Sequence, residues 1–323
     1  MSLTKVNSVC SLITFVLLAD FAFVEGLDPV ALAHKWAPKI YLNSKEEYWP
    51  GDVEVFLKHV QVKGKDCPKT SEIPTGPDSQ KCFLTTNGDP NDLIKENDSY
   101  LLGVKPGSRK WQLDPVPAYV NVKSCGNGRM IISFWIFFPF NKGKQMCKLE
   151  DGCGTVQTVV GNHVGDFEHL SLEMQGELPV SLFLAVHDGG IFYDYDKGSN
   201  TFTLSSQLKN GILKVPDPPQ TIQLVDTHPV LYCALGSHAV WSAPGTFSFS
   251  RVELDQLVDE TDQGREWNTW EALKVFYSKE TTPAWWYYEG RWGNQASQCI
   301  LRLYCLFSAG PRGLSTRSEE YTC

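Results

Sequence analysis

Ile131-Ile132-Ser133-Phe134-Trp135-Ile136-Phe137-Phe138-Pro139-Phe140 is the longest apolar run of the chain outside its N-terminal segment. It is too short to cross a bilayer and has the length of a strand buried on both faces. Working outward, short segments rich in Val, Ile, Phe and Tyr recur at residues 118–122, 169–173, 182–187, 190–195, 201–204, 221–224 and 229–234, each bounded by turn residues. This pattern predicts a mainly β chain, a β-sandwich or jelly roll with a few short peripheral helices, rather than alternating strands and helices. Asp28-Pro29 predicts a helix start, with Asp as cap and Pro at the first helical position, running to about Lys35. Lys39-Ile40-Tyr41-Leu42 reads as a short strand. Residues 251–258 read as a second short helix, and residues 66–98, rich in Pro, Asp, Lys and Ser, as a long loop pinned by a disulfide.

The 323 residues carry a formal net charge of -8, with 20% charged and 42% hydrophobic residues. This composition excludes collagen-like, coiled-coil and disordered classes, and the acidic balance argues against nucleic acid as a partner. Residues 1–26 read as a signal peptide: Lys5 supplies the positive end, residues 10–19 a short apolar stretch, and Val24 and Gly26 small residues near a cleavage point. The expectation is a secreted, extracellular glycoprotein whose mature part, residues 27–323, is a single β-rich domain with Asn97-Asp98-Ser99 as glycosylation sequon. In an oxidising compartment most cysteines pair. Cys67/Cys82 and Cys147/Cys153 are close enough to close small loops, and Cys125, Cys299, Cys305 and Cys323 offer two further bridges of open connectivity. Cys233, in an apolar run, reads as a buried inert thiol. The absence of any Cys-x-x-Cys pair argues against a thiolate zinc site.

The chemistry-bearing residues concentrate in Gly161-Asn162-His163-Val164-Gly165-Asp166-Phe167-Glu168-His169. On a strand, Asp166 and Glu168 face the same side, and Leu170 and Leu172 continue that face toward the core. Two carboxylates on one face repel unless something neutralises them. A divalent cation does so, and His163 joins them if Gly165 lets the chain bend. Mixed nitrogen and oxygen ligands suit Mg, Mn, Ca or a catalytic Zn. His187, before Asp188-Gly189-Gly190, and His238, in Gly236-Ser237-His238-Ala239, are further candidates to converge on the same ion. Ser237-His238 makes a weak nucleophile and base, because adjacent residues rarely face each other. The aromatic stretch Trp285-Trp286-Tyr287-Tyr288-Glu289-Gly290-Arg291-Trp292-Gly293 fits a sugar-stacking surface, an interfacial belt or core packing.

These motifs, with the segment from Trp36-Ala37-Pro38 to Tyr48-Trp49-Pro50, Phe134 through Asn141, Val186-His187-Asp188-Gly189-Gly190 and Asp259 through Trp267, fall in an order that resembles the vacuolar protein sorting-associated protein 62 family across about residues 30–295. The family's usual Trp is Phe167 here, which preserves an aromatic for packing. The central motif is also similar to that of the necrosis- and ethylene-inducing-like toxins, Gly-His-Arg-His-Asp-Trp-Glu on a β-sandwich. There the first His, the Asp and the Glu hold a divalent cation, and the resemblance implies His163, Asp166 and Glu168 as ligands. A further carboxylate of those toxins falls near Thr155, for which His187, His238 or Asp151 would substitute.

Three functions follow as expectations. One is a binding or membrane-active, toxin-like factor whose cation organises a site for a membrane head-group or a glycan. Another is a metal-dependent hydrolase with Glu168 or His238 as general base. The third is a structural protein without ligand.

Overall fold

The computed structural model describes residues 27–69, 72–148, 158–187, 189–208, 217–252, 255–300, 304–317 and 320–323. The expected signal segment 1–26, the Cys147/Cys153 bridge, Asp151, Thr155 and the side chains of Cys299 and Cys305 lie outside the described residues.

Residues 131–140 lie in an interior strand of an eight-stranded sheet. Strand Arg129–Asn141 pairs antiparallel with His163–Gln175 on one side and with Ala118–Gly126 on the other. Beyond His163–Gln175 the sheet continues through Leu178–Val186, Gly189–Asp196, Thr201–Leu208 and Thr221–Ile222. At the opposite edge, Leu273–Phe276 runs parallel to Ala118–Gly126. A five-stranded sheet places Lys39–Leu42 parallel to His228–Cys233 and antiparallel to Arg265–Asn268. Ile40, Leu42, Leu231 and Trp267 of this smaller sheet share one core with Phe134, Ile136, Leu170 and Leu184 of the larger. Two sheets burying one interior make the expected mainly β sandwich.

The far face of the large sheet is also covered. Trp135, Phe137 and Phe167 pack against Trp285, Trp286, Tyr288 and Trp292. Burial on both sides is why Arg129–Asn141 reads as a continuous apolar run rather than an alternating one. It also decides the role of the aromatic stretch: four of its rings are core, and only Tyr287 is substantially exposed. No described helix is long and apolar enough to cross a membrane.

Helix Pro29–Trp36 starts as expected, with the Asp28 carboxylate accepting from Val30 N at 2.9 Å. It lays Leu32, Ala33 and Trp36 into the shared core. Of the expected helix at 251–258, the described residues 251–252 and 255–258 are in strands, and 253–254 lie outside the described residues. Gly245–Val252 and Asp255–Thr261 are paired strands, and the second also pairs with Lys144–Lys148. Burial there alternates through Leu257, Asp259 and Thr261, a period of two that tertiary pairing imposes over local helical preference. The expected loop at 66–98 likewise contains the strand Phe83–Thr86, paired with Val60–Lys63, and the short helix Pro90–Leu93.

Cys67 and Cys82 are bonded and pin this hairpin, and Cys125 is bonded to Cys323. Around the latter bridge, Arg129 donates to Thr322 O at 2.7 Å, Ser181 donates to Tyr321 Oη at 2.8 Å, and Tyr321 packs on Ile131, Phe183 and Ala185. Cys233 is a buried free thiol; burial, with Glu168, Glu46 and Asp166 nearby, pushes its pKa well up, so it stays protonated. Cys67→Ala is expected to cost about 2–3 kcal/mol, the loop-closure entropy of a bridge of this span. Urea denaturation measures it, and an unchanged midpoint would show that the hairpin is held without the bridge.

Candidate functional site

Strand His163–Gln175 enters the sheet through a kink. Gly165 has φ +68°, a left-handed conformation that costs a side-chain-bearing residue energy. A Cβ there would lie 2.2 Å from the Trp292 carbonyl oxygen. The ladder steps from Phe138↔Asp166 to Phe140↔Val164, passing over Pro139 and Gly165. Beyond the kink Asp166 and Glu168 share the face that Leu170 and Leu172 continue into the core, and both are buried.

The kink also brings His163 back over Asp166. His163 Nδ1 lies 2.8 Å from the Gly161 carbonyl oxygen, which requires the proton on Nδ1. Nε2 is then turned toward Asp166 Oδ1 at 3.5 Å, buried and without a hydrogen-bond partner. Asp166 itself is fixed: Oδ2 accepts from Asn141 Nδ2 at 2.6 Å and Oδ1 from Phe167 N at 2.9 Å. Asn141 Nδ2 also donates to Ser237 O, and its Oδ1 accepts from Gly143 N. Burial alone would raise the Asp166 pKa, but the His163 and His238 imidazoles outweigh it and hold the carboxyl far below its usual range. At Glu168, burial reinforced by the Asp166 charge acts the other way and holds the carboxyl well above its usual range.

His238 closes the cluster. It is fully buried, adopts φ +62°, and stacks on Phe138 with centroids 3.8 Å apart. Its Nδ1 lies 3.7 Å from Asp166 Oδ2, and its Nε2 lies 3.7 Å from Glu46 Oε2. Burial lowers its pKa, yet the two carboxylates push it up to about 9, so it is an imidazolium. Glu46 in turn accepts from Tyr48 N and Glu47 N through Oε1 and from Gly236 N through Oε2. Against burial, His238 and these backbone donors hold its carboxyl below the usual range.

Of the sequence-derived candidates, His163, Asp166, Glu168 and His238 therefore belong to one buried cluster. His187 is placed elsewhere: its Nε2 lies 2.7 Å from Asp259 Oδ2, and Asp259 also accepts from Ser237 Oγ and Trp241 Nε1. Ser237 thus donates to a carboxylate and not to His238, so no nucleophile–base pair forms. With no cation bound, burial and the Asp166 charge favour the neutral form of Glu168, and the Glu46 and Asp166 carboxylates favour the charged form of His238. Among the described residues no three His, Cys, Asp or Glu side chains are close enough together to hold an ion as they stand. His169 lies on the opposite face, stacked on Trp135 with Nε2 2.8 Å from Glu320 Oε1. Asn97 is exposed on its loop.

Sequence reasoning missed Glu46, Asn141 and Asp259. Glu46 meets Gly236 across 190 positions of chain, a separation that no local period reports. Asn141 was legible only as the polar residue that ends the long apolar run.

The profile of the vacuolar protein sorting-associated protein 62 family matches residues 26–223. Among curated proteins, this chain is similar to TDA6 of Saccharomyces cerevisiae, named for vacuolar protein sorting, at 26% identity over 320 residues, covering 85% of this chain and 64% of that protein. It is similar to vacuolar protein sorting-associated protein 62 of the same yeast at 25% identity over 297 residues, covering 80% and 58%. The chain thus spans less than two thirds of the length of either relative. Among solved structures it is similar to necrosis and ethylene inducing protein 2 from the causal agent of cocoa's witches' broom disease, with 15% identity, TM-score 0.31, and coverage of 77% of this chain and 74% of that one. It is also similar to NLPPya in complex with glucosamine, with 13% identity, TM-score 0.32, and coverage of 78% and 76%. The relatives correct one expectation: their names point to the vacuole rather than to the extracellular space.

Proposed function

The chain belongs to the vacuolar protein sorting-associated protein 62 family, and from that membership we propose that it is a disulfide-stabilised binding protein of the vacuolar pathway with a site for one divalent cation, Mg, Ca, Mn or Zn. The observation that carries this is the His163 imidazole. Its Nδ1–H is committed to the Gly161 carbonyl, and its Nε2 is buried 3.5 Å from Asp166 Oδ1 with no hydrogen-bond partner. That approach needs a positive charge between the two atoms, supplied by a proton on Nε2 or by a bound cation that takes its place. A metal-bound His commonly donates its other N–H to a backbone carbonyl, as His163 does.

His163, Asp166 and Glu168 would hold the ion, which would supply a positive charge able to accept an oxygen from a membrane head-group or a glycan. Asn141 orients Asp166 for that task, and the protonated His238 offsets the Asp166 and Glu46 charges from the other side. Glu168 would have to act as a carboxylate to hold the ion, so affinity would fall with acidity. Burial of Trp285, Trp286, Tyr288 and Trp292 makes these rings core, which argues against both an interfacial belt and a sugar-stacking surface there.

Elemental analysis of the dialysed protein tests the reading and identifies the metal. About one divalent ion per chain is expected in the wild type and a several-fold lower content in Asp166→Asn, with a chelator lowering the Tm of the wild type only. Equal, sub-stoichiometric metal in both proteins would overturn it and leave a structural protein without a cation.

A further inference from the structure

We infer that the cleft between the hairpin Val60–Lys63/Phe83–Thr86 and residues 294–297 is a binding site for a neutral sugar. The cleft has a volume of about 600 Å³, within the range that holds a small organic ligand. Thr85, Asn87, Asn91, Asn294 and Gln295 line it with hydroxyls and amides, and Phe83 adds a half-buried ring.

That chemistry is selective. An amide presents donors and an acceptor side by side, which suits adjacent sugar hydroxyls that each donate and accept. The Phe83 ring offers an apolar surface to the C–H face of a pyranose. The only charged groups in the lining are Lys63 and Asp89, one of each sign, so the cleft has no net charge with which to attract a phosphate or a carboxylate.

The walls are fixed while the contacting tips are unengaged. Thr86 N donates to Asn294 Oδ1 at 3.2 Å, and Asn294 Nδ2 donates to Thr86 Oγ1 at 3.0 Å, joining the two sides of the cleft. Leu84 N donates to Arg291 O at 2.9 Å, and the Cys67–Cys82 bridge clamps the hairpin base. Above this frame the Asn87 and Gln295 side chains are exposed and make no hydrogen bond among the described residues. The fixed frame spares the backbone an ordering cost on binding, while the free Asn87 and Gln295 side chains each lose rotamer freedom that their new hydrogen bonds must outweigh. The cleft shares no residue with the cation cluster, so the inference stands apart from the cation reading.

The test is isothermal titration of the purified protein with mannose, glucose, N-acetylglucosamine and their disaccharides, with inorganic phosphate as the anionic control. Saturable binding of at least one sugar is expected. Asn87→Ala/Gln295→Ala, both at exposed positions, is expected to weaken it about ten-fold or more with an unchanged Tm. Asp166→Asn and added chelator are expected to leave it intact, which separates this site from the cation. No sugar binding at all, equal affinity in the double variant, or binding of phosphate in place of sugar would each overturn the inference.

Discussion

His238→Ala is expected to lower stability by about 3–5 kcal/mol, the usual cost of leaving buried charges without their partner. The imidazolium lies between Glu46 and Asp166, 3.7 Å from an oxygen of each, and is fully buried. Removing it strands two carboxylates that burial already opposes and leaves a void against Phe138. The urea midpoint reads the loss directly. A second variant separates charge from packing. Adding Glu46→Gln removes one of the stranded charges and is expected to restore at least about 1 kcal/mol. If His238→Ala costs less than about 1 kcal/mol, or if Glu46→Gln restores nothing, the carboxylates are not held by the imidazolium.

Gly165→Ala is expected to cost about 3–5 kcal/mol, combining a left-handed backbone penalty with a steric overlap. The overlap is with backbone, the Trp292 carbonyl, so no side-chain rotation relieves it. Gly293 closes the same contact from the other side, since a Cβ there would lie 2.1 Å from the Val164 carbonyl oxygen. Relief requires the strand and the Trp292 segment to part, and this moves His163 away from Asp166. If the proposed cation site exists, the variant is expected to show a lower metal content along with its lower stability. Gly176→Ala is the control: it also has positive φ, but nothing lies within 4 Å of its added Cβ, so its cost is expected to be only the backbone part, about 1–2 kcal/mol. Equal costs at the two positions would show that the close approach to Trp292 is unimportant.

The parts of this fold that were legible in the sequence are those governed by local chemistry. Asp28-Pro29 set the first helix, Lys39–Leu42 was readable as a strand, and the run at 131–140 declared a strand covered on both faces. The shared face of Asp166 and Glu168 followed from strand periodicity alone, and the bend at Gly165 was readable as a condition for His163 to join them. What neutralises those carboxylates was not legible. The imidazolium that does so for Asp166 comes from a loop that meets Glu46 across the chain, and the proton on Glu168 depends on how deeply it is buried. Residues 251–258 misled for a related reason. Nothing local signals that residues 255–258 pair with residues 145–148, and that pairing makes them strand.

The parallel pairing of Lys39–Leu42 with His228–Cys233 constrains how the protein is made. Synthesis proceeds from the N-terminus, so Ile40 and Leu42 leave the ribosome long before Leu231 exists to cover them. The nascent chain must carry an uncovered strand and a half-built acidic cluster through most of its translation. Chaperone attendance during that interval, and slow refolding from denaturant afterwards, are the natural consequences of a partner so late in the chain.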